Sequence, residues 1–206
     1  MSLKEQLKEL EWKQLQHDKL YHSDIWCLDV QTRLKHMVLH IAKYSSKVQL
    51  VFLGDLDDAK FQEVILDIFI ISLSSINIIN KDVNDALGVF DEDGIDHLYT
   101  RTFSELFDED SFDKNFQVLV NKSVSLLCKA IEATDHFEAF HSRSVIVEEF
   151  CKLLKVSFVS MLNYFPSVDL FDAVSDRLYQ VEKRSKYFEM LGNYKDGYKC
   201  SGVVIN

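Results

Sequence analysis

Hydrophobic residues in this chain recur at three- and four-residue steps over long stretches and almost nowhere in strict alternation. That period turns one face of an α-helix toward a core, whereas a half-buried strand alternates every second residue. Leu3, Leu7, Leu10 and Leu15 open the pattern. Ser2 followed by Glu5 has the spacing of a capping box, so a first helix is predicted from there to about Tyr21. His22 to Cys27 reads as a connection, and Asp29 is placed to cap the next helix. Its inward positions are Leu34, Met37, Val38, Ile41, Tyr44, Ser45 and Val48, and Gly54-Asp55 marks a turn after it.

Between Asp57 and Ile79 apolar side chains cover most of the circumference, which predicts a helix inside a bundle. The Ile and Val content would also suit a strand, but the length of the run decides for a helix. Asp67, Asn77 and several serines interrupt it, and it is expected to fall short of a membrane span. A short helix follows from Asp82 to Leu87. Asp91 to Asp96 has some of the look of a calcium loop but lacks the terminal glutamate, and is read as a solvated linker. The second half predicts a short helix over about His97–Leu106 and long ones over about Phe112–Ala133 and Ser144–Phe165. A last helix is predicted from Pro166-Ser167 to about Leu191, stopped by Gly192, with a loosely held tail to Asn206.

Composition narrows the class. One proline and six glycines in 206 residues leave too few turn positions for a sandwich or barrel, so the chain is expected to be all-α. A net charge of −10 disfavours a nucleic-acid partner, whose phosphates call for clustered Lys and Arg. It leaves room for a metal-dependent enzyme acting on a phosphorylated small molecule, because a bound cation inverts the local field. Cys27, Cys128, Cys151 and Cys200 are scattered without a CxxC pair and are expected to be free thiols in a reducing, cytoplasmic setting, with Cys128 and Cys151 buried in their apolar helical runs. The polar, amphipathic start predicts no secretory signal, and a soluble protein without a membrane partner is expected.

The helical plan also repeats. A shift of 85 places Leu34 on Leu119, Glu63 on Glu148, Ser72 on Ser157 and Ser75 on Ser160. A further two residues place Asp82, Asp85 and Ala86 on Asp169, Asp172 and Ala173. This predicts an N-terminal helical repeat over 1–92 and a degenerate one over 93–206, sharing one bundle.

Two segments carry a family resemblance: Leu34-Lys-His36-Met37-Val-Leu-His40-Ile-Ala-Lys43, and Glu63-Val64-Ile-Leu-Asp67 running on to Asn77 and Asp82-Val-Asn-Asp-Ala-Leu87. The ten-residue step from Asp67 to Asn77, followed by the D-x-x-x-A-L of the short helix, resembles the MazG-like all-α nucleotide pyrophosphohydrolases and the dimeric dUTPases. The resemblance covers about Leu34–Leu87. It implies a bundle of the all-α NTP pyrophosphatase type, here as two degenerate repeats forming a pseudo-dimer, and a divalent metal that helps water attack a nucleotide phosphoryl group. The family's magnesium ligands correspond here to Met37, His40, Val64 and Asp67, two of them apolar, so an unchanged magnesium site is not expected.

A substitute ligand set is available. His36 and His40 are one turn apart on their helix, as are Glu63 and Asp67 on the next, and antiparallel packing would let the pairs meet. Two imidazoles and two carboxylates suit manganese, zinc, nickel or iron better than magnesium. Glu63 and Asp67 then double as the catalytic carboxylates, with Lys43, Lys47 and Asn77 as substrate-binding residues and His17, His22 and Asp24 as supporting ligands. The plainer reading makes the histidines a core or flank pair and the lysines solvated surface. At the shift of 85, His36, His40 and Asp67 become Asn121, Ser125 and Lys152, so the second repeat reads as a structural partner. Two functions remain: a metal-dependent nucleotide pyrophosphohydrolase, or a non-catalytic bundle binding a nucleotide or metal or serving as an interaction scaffold. Homodimerisation stays open.

Overall fold

Side-chain caps start five of the ten helices in the computed structural model, which describes residues 1–107, 111–136 and 138–199. Ten helices are present among them: α1 (Leu3–Tyr21), α2 (Ser23–Trp26), α3 (Val30–Phe52), α4 (Asp58–Ile78) and α5 (Val83–Leu87), then α6 (Ile95–Leu106), α7 (Phe112–Asp135), α8 (Ser142–Tyr164), α9 (Leu170–Glu182) and α10 (Phe188–Leu191). Two short strands, β1 (Gly192–Asn193) and β2 (Gly197–Tyr198), pair antiparallel behind them. The Ser2 hydroxyl accepts from the Glu5 N–H while the Glu5 carboxylate accepts from the Ser2 N–H at 2.8 Å, closing the capping box. Asp29, Asp57, Asp82 and Asp169 cap α3, α4, α5 and α9 in the same sense. Each satisfies N–H groups that a helix start leaves orphaned.

The short turn Leu53–Asp57 makes α3 and α4 antiparallel neighbours, and α7 and α8 form a second such hairpin. The hairpins pack α4 on α8 and α3 on α7, while α1, α5 and α9 close the outside. One continuous core runs through both hairpins, with Phe69, Phe116, Phe150 and Phe158 fully buried. Ser72 and Ser75 on α4 and Ser157 and Ser160 on α8, the pairs related by 85 in sequence, are all 0% exposed. Ser75 and Ser157 return their hydroxyls to the carbonyls of Ile71 and Leu153, which lets a small polar side chain sit in an apolar interface. Shifted by 85, α3 and α4 fall on 115–137 and 143–163, within three residues of α7 and α8 at every end.

Three details differ from the sequence reading. The connection after α1 contains the one-turn helix α2. The last predicted helix is shorter than expected: Pro166-Ser167 precedes it, Asp169 caps it, and it ends at Glu182 before the brief α10. Gly192 starts a hairpin rather than a loose tail, and Tyr194 at its bend is only 3% exposed. The cause is Glu182, which is 0% exposed and accepts the Tyr194 N–H and the Tyr198 hydroxyl, both at 2.9 Å. Cys128, expected to be buried, is exposed on the outer side of α7, and Cys151 is only partly buried; residues 200–206, including Cys200, lie outside the described residues.

The composition of α4 is also a correction. Asp58–Ile78 is long and apolar enough to cross a membrane by length and hydropathy (mean 1.6). In the bundle 78% of that window is buried against other helices, and that position accounts for its hydropathy.

Candidate functional site

A cavity of about 410 Å³ opens among α1, α2, α3, α4 and α9. Its volume is in the usual range for small-molecule sites. Three of the chain's five arginines line it (Arg33, Arg177 and Arg184), with four of its seven histidines (His17, His22, His36 and His40). Lys43 adds a fourth cation, against the carboxylates Asp18, Asp24 and Asp67. An acidic chain therefore gathers most of its guanidiniums at one place.

Helical geometry sets the α3 wall. His36 and His40 lie one turn apart with ring centroids 4.5 Å apart, and Lys43 and Tyr44 continue the face by another turn. Burial, with Lys43 and the neighbouring histidines, pushes the His40 imidazole down to about 4, so it is neutral near pH 7. The Lys43 ammonium lies 4.5 Å from the Tyr44 ring centroid. From α3 as well, the Arg33 guanidinium lies over the Trp26 ring of α2 at 4.6 Å. Neither Arg33, Lys43 nor Arg184 forms an ion pair with a described carboxylate.

The floor comes from α1 and α4. Asp18, 8% exposed, accepts from Gln14 Nε2 at 2.9 Å and from the Ser74 hydroxyl at 2.6 Å. Burial raises its carboxyl toward the protonated form. Gln14 Oε1, Arg33 Nε and His40 Nδ1 are buried polar atoms without a hydrogen-bond partner among the described residues, and all three belong to residues lining this cavity. Buried polar atoms left unpaired are uncommon in proteins, and their grouping marks a place suited to a polar ligand.

The sequence-predicted residues are divided by the fold. His36, His40, Lys43 and Asp67 line this cavity, whereas Glu63 and Lys47 line a smaller one of about 110 Å³ that Asp67 also borders. Asn77 faces α1 beside Lys8 and Trp12 and donates to the Glu11 carbonyl at 3.3 Å. The supporting candidates His17, His22 and Asp24 all line the main cavity, and His17 is also held by Glu182, Nδ1 to Oε1 at 2.9 Å.

Asp67 decides how the resemblance-implied metal fits. Arg177 from α9 grips it with both arms of the guanidinium, Nε to Oδ1 at 2.8 Å and Nη2 to Oδ2 at 2.7 Å. Nη1 also lies 3.4 Å from Glu63, whose carboxylate is held by Lys60 at 3.0 Å. Both Asp67 oxygens are engaged by a cation already present, so His36, His40, Glu63 and Asp67 as arranged do not fit a divalent ion. No group of three or more His, Cys, Asp or Glu among the described residues is disposed to hold one.

In the second half, Asn121 accepts a hydrogen bond from Ser45 at 2.5 Å. Lys152 pairs with Glu149 at 2.6 Å, and that glutamate, 2% exposed, also accepts from Ser123. A broader, shallower depression of about 930 Å³ around His141 and Arg143 brings no comparable set of cations together.

Arg33, Arg177, Arg184, Gln14, Asp18 and Ser74 have no counterpart in the sequence reading. They are separated by up to 170 positions and form no local motif; the scarcity of arginine, five in the chain, was the only available signal.

The depressed His40 value gives a pH prediction. A neutral imidazole in the fold and an ordinary one near 6.5 in the unfolded chain mean that the unfolded state binds more protons below pH 6.5. The His40 contribution to stability is therefore intact above about pH 6.5 and declines as pH falls toward 4. Melting temperatures measured from pH 7.5 to 4 are expected to fall less steeply for His40→Gln than for the wild type. Parallel curves would show that His40 is not held neutral.

Comparison of the chain with protein-family models, curated proteins and solved structures finds no match.

Proposed function

We propose that this chain is a non-catalytic MazG-like helical bundle that binds a nucleotide or another phosphorylated small molecule in the α1–α3–α4–α9 cavity. Its halves would form a pseudo-dimer in which the second serves as a packing partner. The observation that carries this reading is the convergence of Arg33, Lys43, Arg177 and Arg184 on one cavity in a chain of net charge −10. Guanidiniums match phosphate oxygens with paired donors, and charge-assisted bonds of this kind are about twice as strong as neutral ones. Arg33, Arg184 and Lys43 form no ion pair with a carboxylate among the described residues and so keep their charge for a ligand. Neutral His40 supplies a further polar contact at the same wall.

Non-catalytic is preferred to pyrophosphohydrolase because the carboxylate that would carry the chemistry, Asp67, is spent on Arg177. The near-coincidence of α3–α4 with α7–α8 at a shift of 85 supports the pseudo-dimer, and Lys152 at the Asp67 counterpart supports a silent second half.

Calorimetric titration with ATP, ADP, AMP and inorganic phosphate, paired with an assay for released pyrophosphate, tests the reading. Binding of at least one phosphorylated compound that weakens with added salt, without turnover, is expected. Absence of binding to all of them removes the phosphate reading. Release of pyrophosphate from a nucleoside triphosphate would instead favour the hydrolase.

A further inference from the structure

We infer that Arg177 is a resident cation that takes the place of a divalent metal at Glu63 and Asp67, so that this site is neutralised by the protein itself. The inference rests on the metal position that the resemblance implies at Asp67, with Glu63 from the substitute ligand set beside it, not on what occupies the cavity, and its test reads metal and stability rather than ligand.

Three observations combine. The Asp67 carboxylate is only 9% exposed, and two carboxylates one turn apart on a mostly apolar helix repel each other unless a cation stands between them. That cation is a guanidinium delivered from α9, more than a hundred residues away in sequence: it meets both oxygens of Asp67 and lies within 3.4 Å of Glu63. The other hairpin repeats the solution with a different residue. On α8, Lys152 stands between Glu148 at 3.9 Å and the buried Glu149 at 2.6 Å. Both hairpins thus neutralise their acidic cluster from within the chain. Where a metal-dependent bundle would be loosened by a chelator, this one is expected to be indifferent to it.

The placement of α9 is part of the same device. Asp169 caps the helix, and Leu170, Val174 and Leu178 are buried on its inner face at helical spacing. Arg177, next to Leu178, is carried to the cavity wall as that face docks. The guanidinium is 14% exposed, enclosed enough that its pairing with Asp67 is little screened.

The experiment compares wild type, Arg177→Met and the double variant Arg177→Met/Asp67→Asn by thermal melting, with EDTA or with Mn²⁺, and counts bound Mn²⁺ by electron paramagnetic resonance. Wild type is expected to bind no Mn²⁺ tightly and to melt at the same temperature in both conditions. Arg177→Met is expected to melt about 6–20 °C lower in EDTA, and to recover part of that loss in Mn²⁺ with one ion bound. The double variant, with the buried charge gone, is expected to melt closer to wild type and to ignore Mn²⁺. If Arg177→Met folds only when Mn²⁺ is present, holding one ion, that also supports the inference. Stoichiometric Mn²⁺ on the wild type overturns it. So does an Arg177→Met protein as stable as wild type in EDTA, or one that takes up no Mn²⁺.

Discussion

Replacing Glu182 with alanine is expected to release the C-terminal hairpin and to lower stability by about 3–5 kcal/mol. Glu182 is 0% exposed and binds three groups at once: His17 Nδ1 from α1, the Tyr198 hydroxyl from β2 and the Tyr194 N–H at the hairpin bend. Without the carboxylate, an imidazole nitrogen, a phenol and a backbone amide are left without partners in an enclosed space. Each such orphan costs about 1–3 kcal/mol, and loosening of the hairpin returns some of them to water, which limits the total. Tyr21, whose hydroxyl donates to the Gly192 carbonyl, would lose its hold at the same time. Urea unfolding gives the stability change directly, and amide exchange at Tyr194 to Tyr198 reports the hairpin. A Glu182→Ala protein with wild-type stability and unchanged protection would show that the hairpin is held elsewhere. Glu182→Gln, which keeps an acceptor, is expected to lose less.

The second large effect concerns binding. The paired substitution Arg33→Ala/Arg184→Ala is expected to weaken binding of the phosphorylated ligand by about 100-fold or more, since a hydrogen bond to a charged group contributes roughly 1.5–3 kcal/mol. Neither guanidinium supports a described ion pair, so the fold should remain intact and the melting temperature should move little. Arg33 lies over Trp26 and would lose that contact, a minor effect at a partly exposed site. The salt dependence of binding should flatten together with the affinity, because fewer fixed cations then meet the phosphate. Unchanged affinity would place the ligand away from this cavity. A large fall in melting temperature would mean that the arginines serve the fold.

These two sites differ in how far they could be read from the chain. The boundaries of α1, α3, α4 and α5 follow from neighbours in sequence, because a cap and the helix it starts are three residues apart: Ser2 with Glu5, Asp29 with Thr32, Asp57 with Lys60. The burial of Leu34, Met37, Val38, Ile41, Tyr44, Ser45 and Val48 follows from a 3.6-residue period in the same way. His36, His40 and Asp67 could be brought to one wall on paper, since an antiparallel hairpin fixes which faces of α3 and α4 meet.

Glu182 shows the opposite case. In sequence it is one acidic residue before Lys183-Arg184, indistinguishable from a solvated helix end. Only the docking of α9 against α1 buries it beside His17, and only that burial gives the chain after Gly192 a reason to fold back.

What the sequence determined by itself was local and periodic: an all-α chain, its caps, its inward faces, a buried α4, and a plan that recurs after 85 residues. These depend on the hydrogen bonds of successive backbone units and on which side of a helix is apolar, and both are written within a few turns. What the tertiary structure decided was which charge meets which. Arg177 and Asp67 are 110 positions apart, and His17 and Glu182 are 165 apart. Electrostatic pairing depends on distance in space and on exclusion of water, neither of which exists until the helices pack.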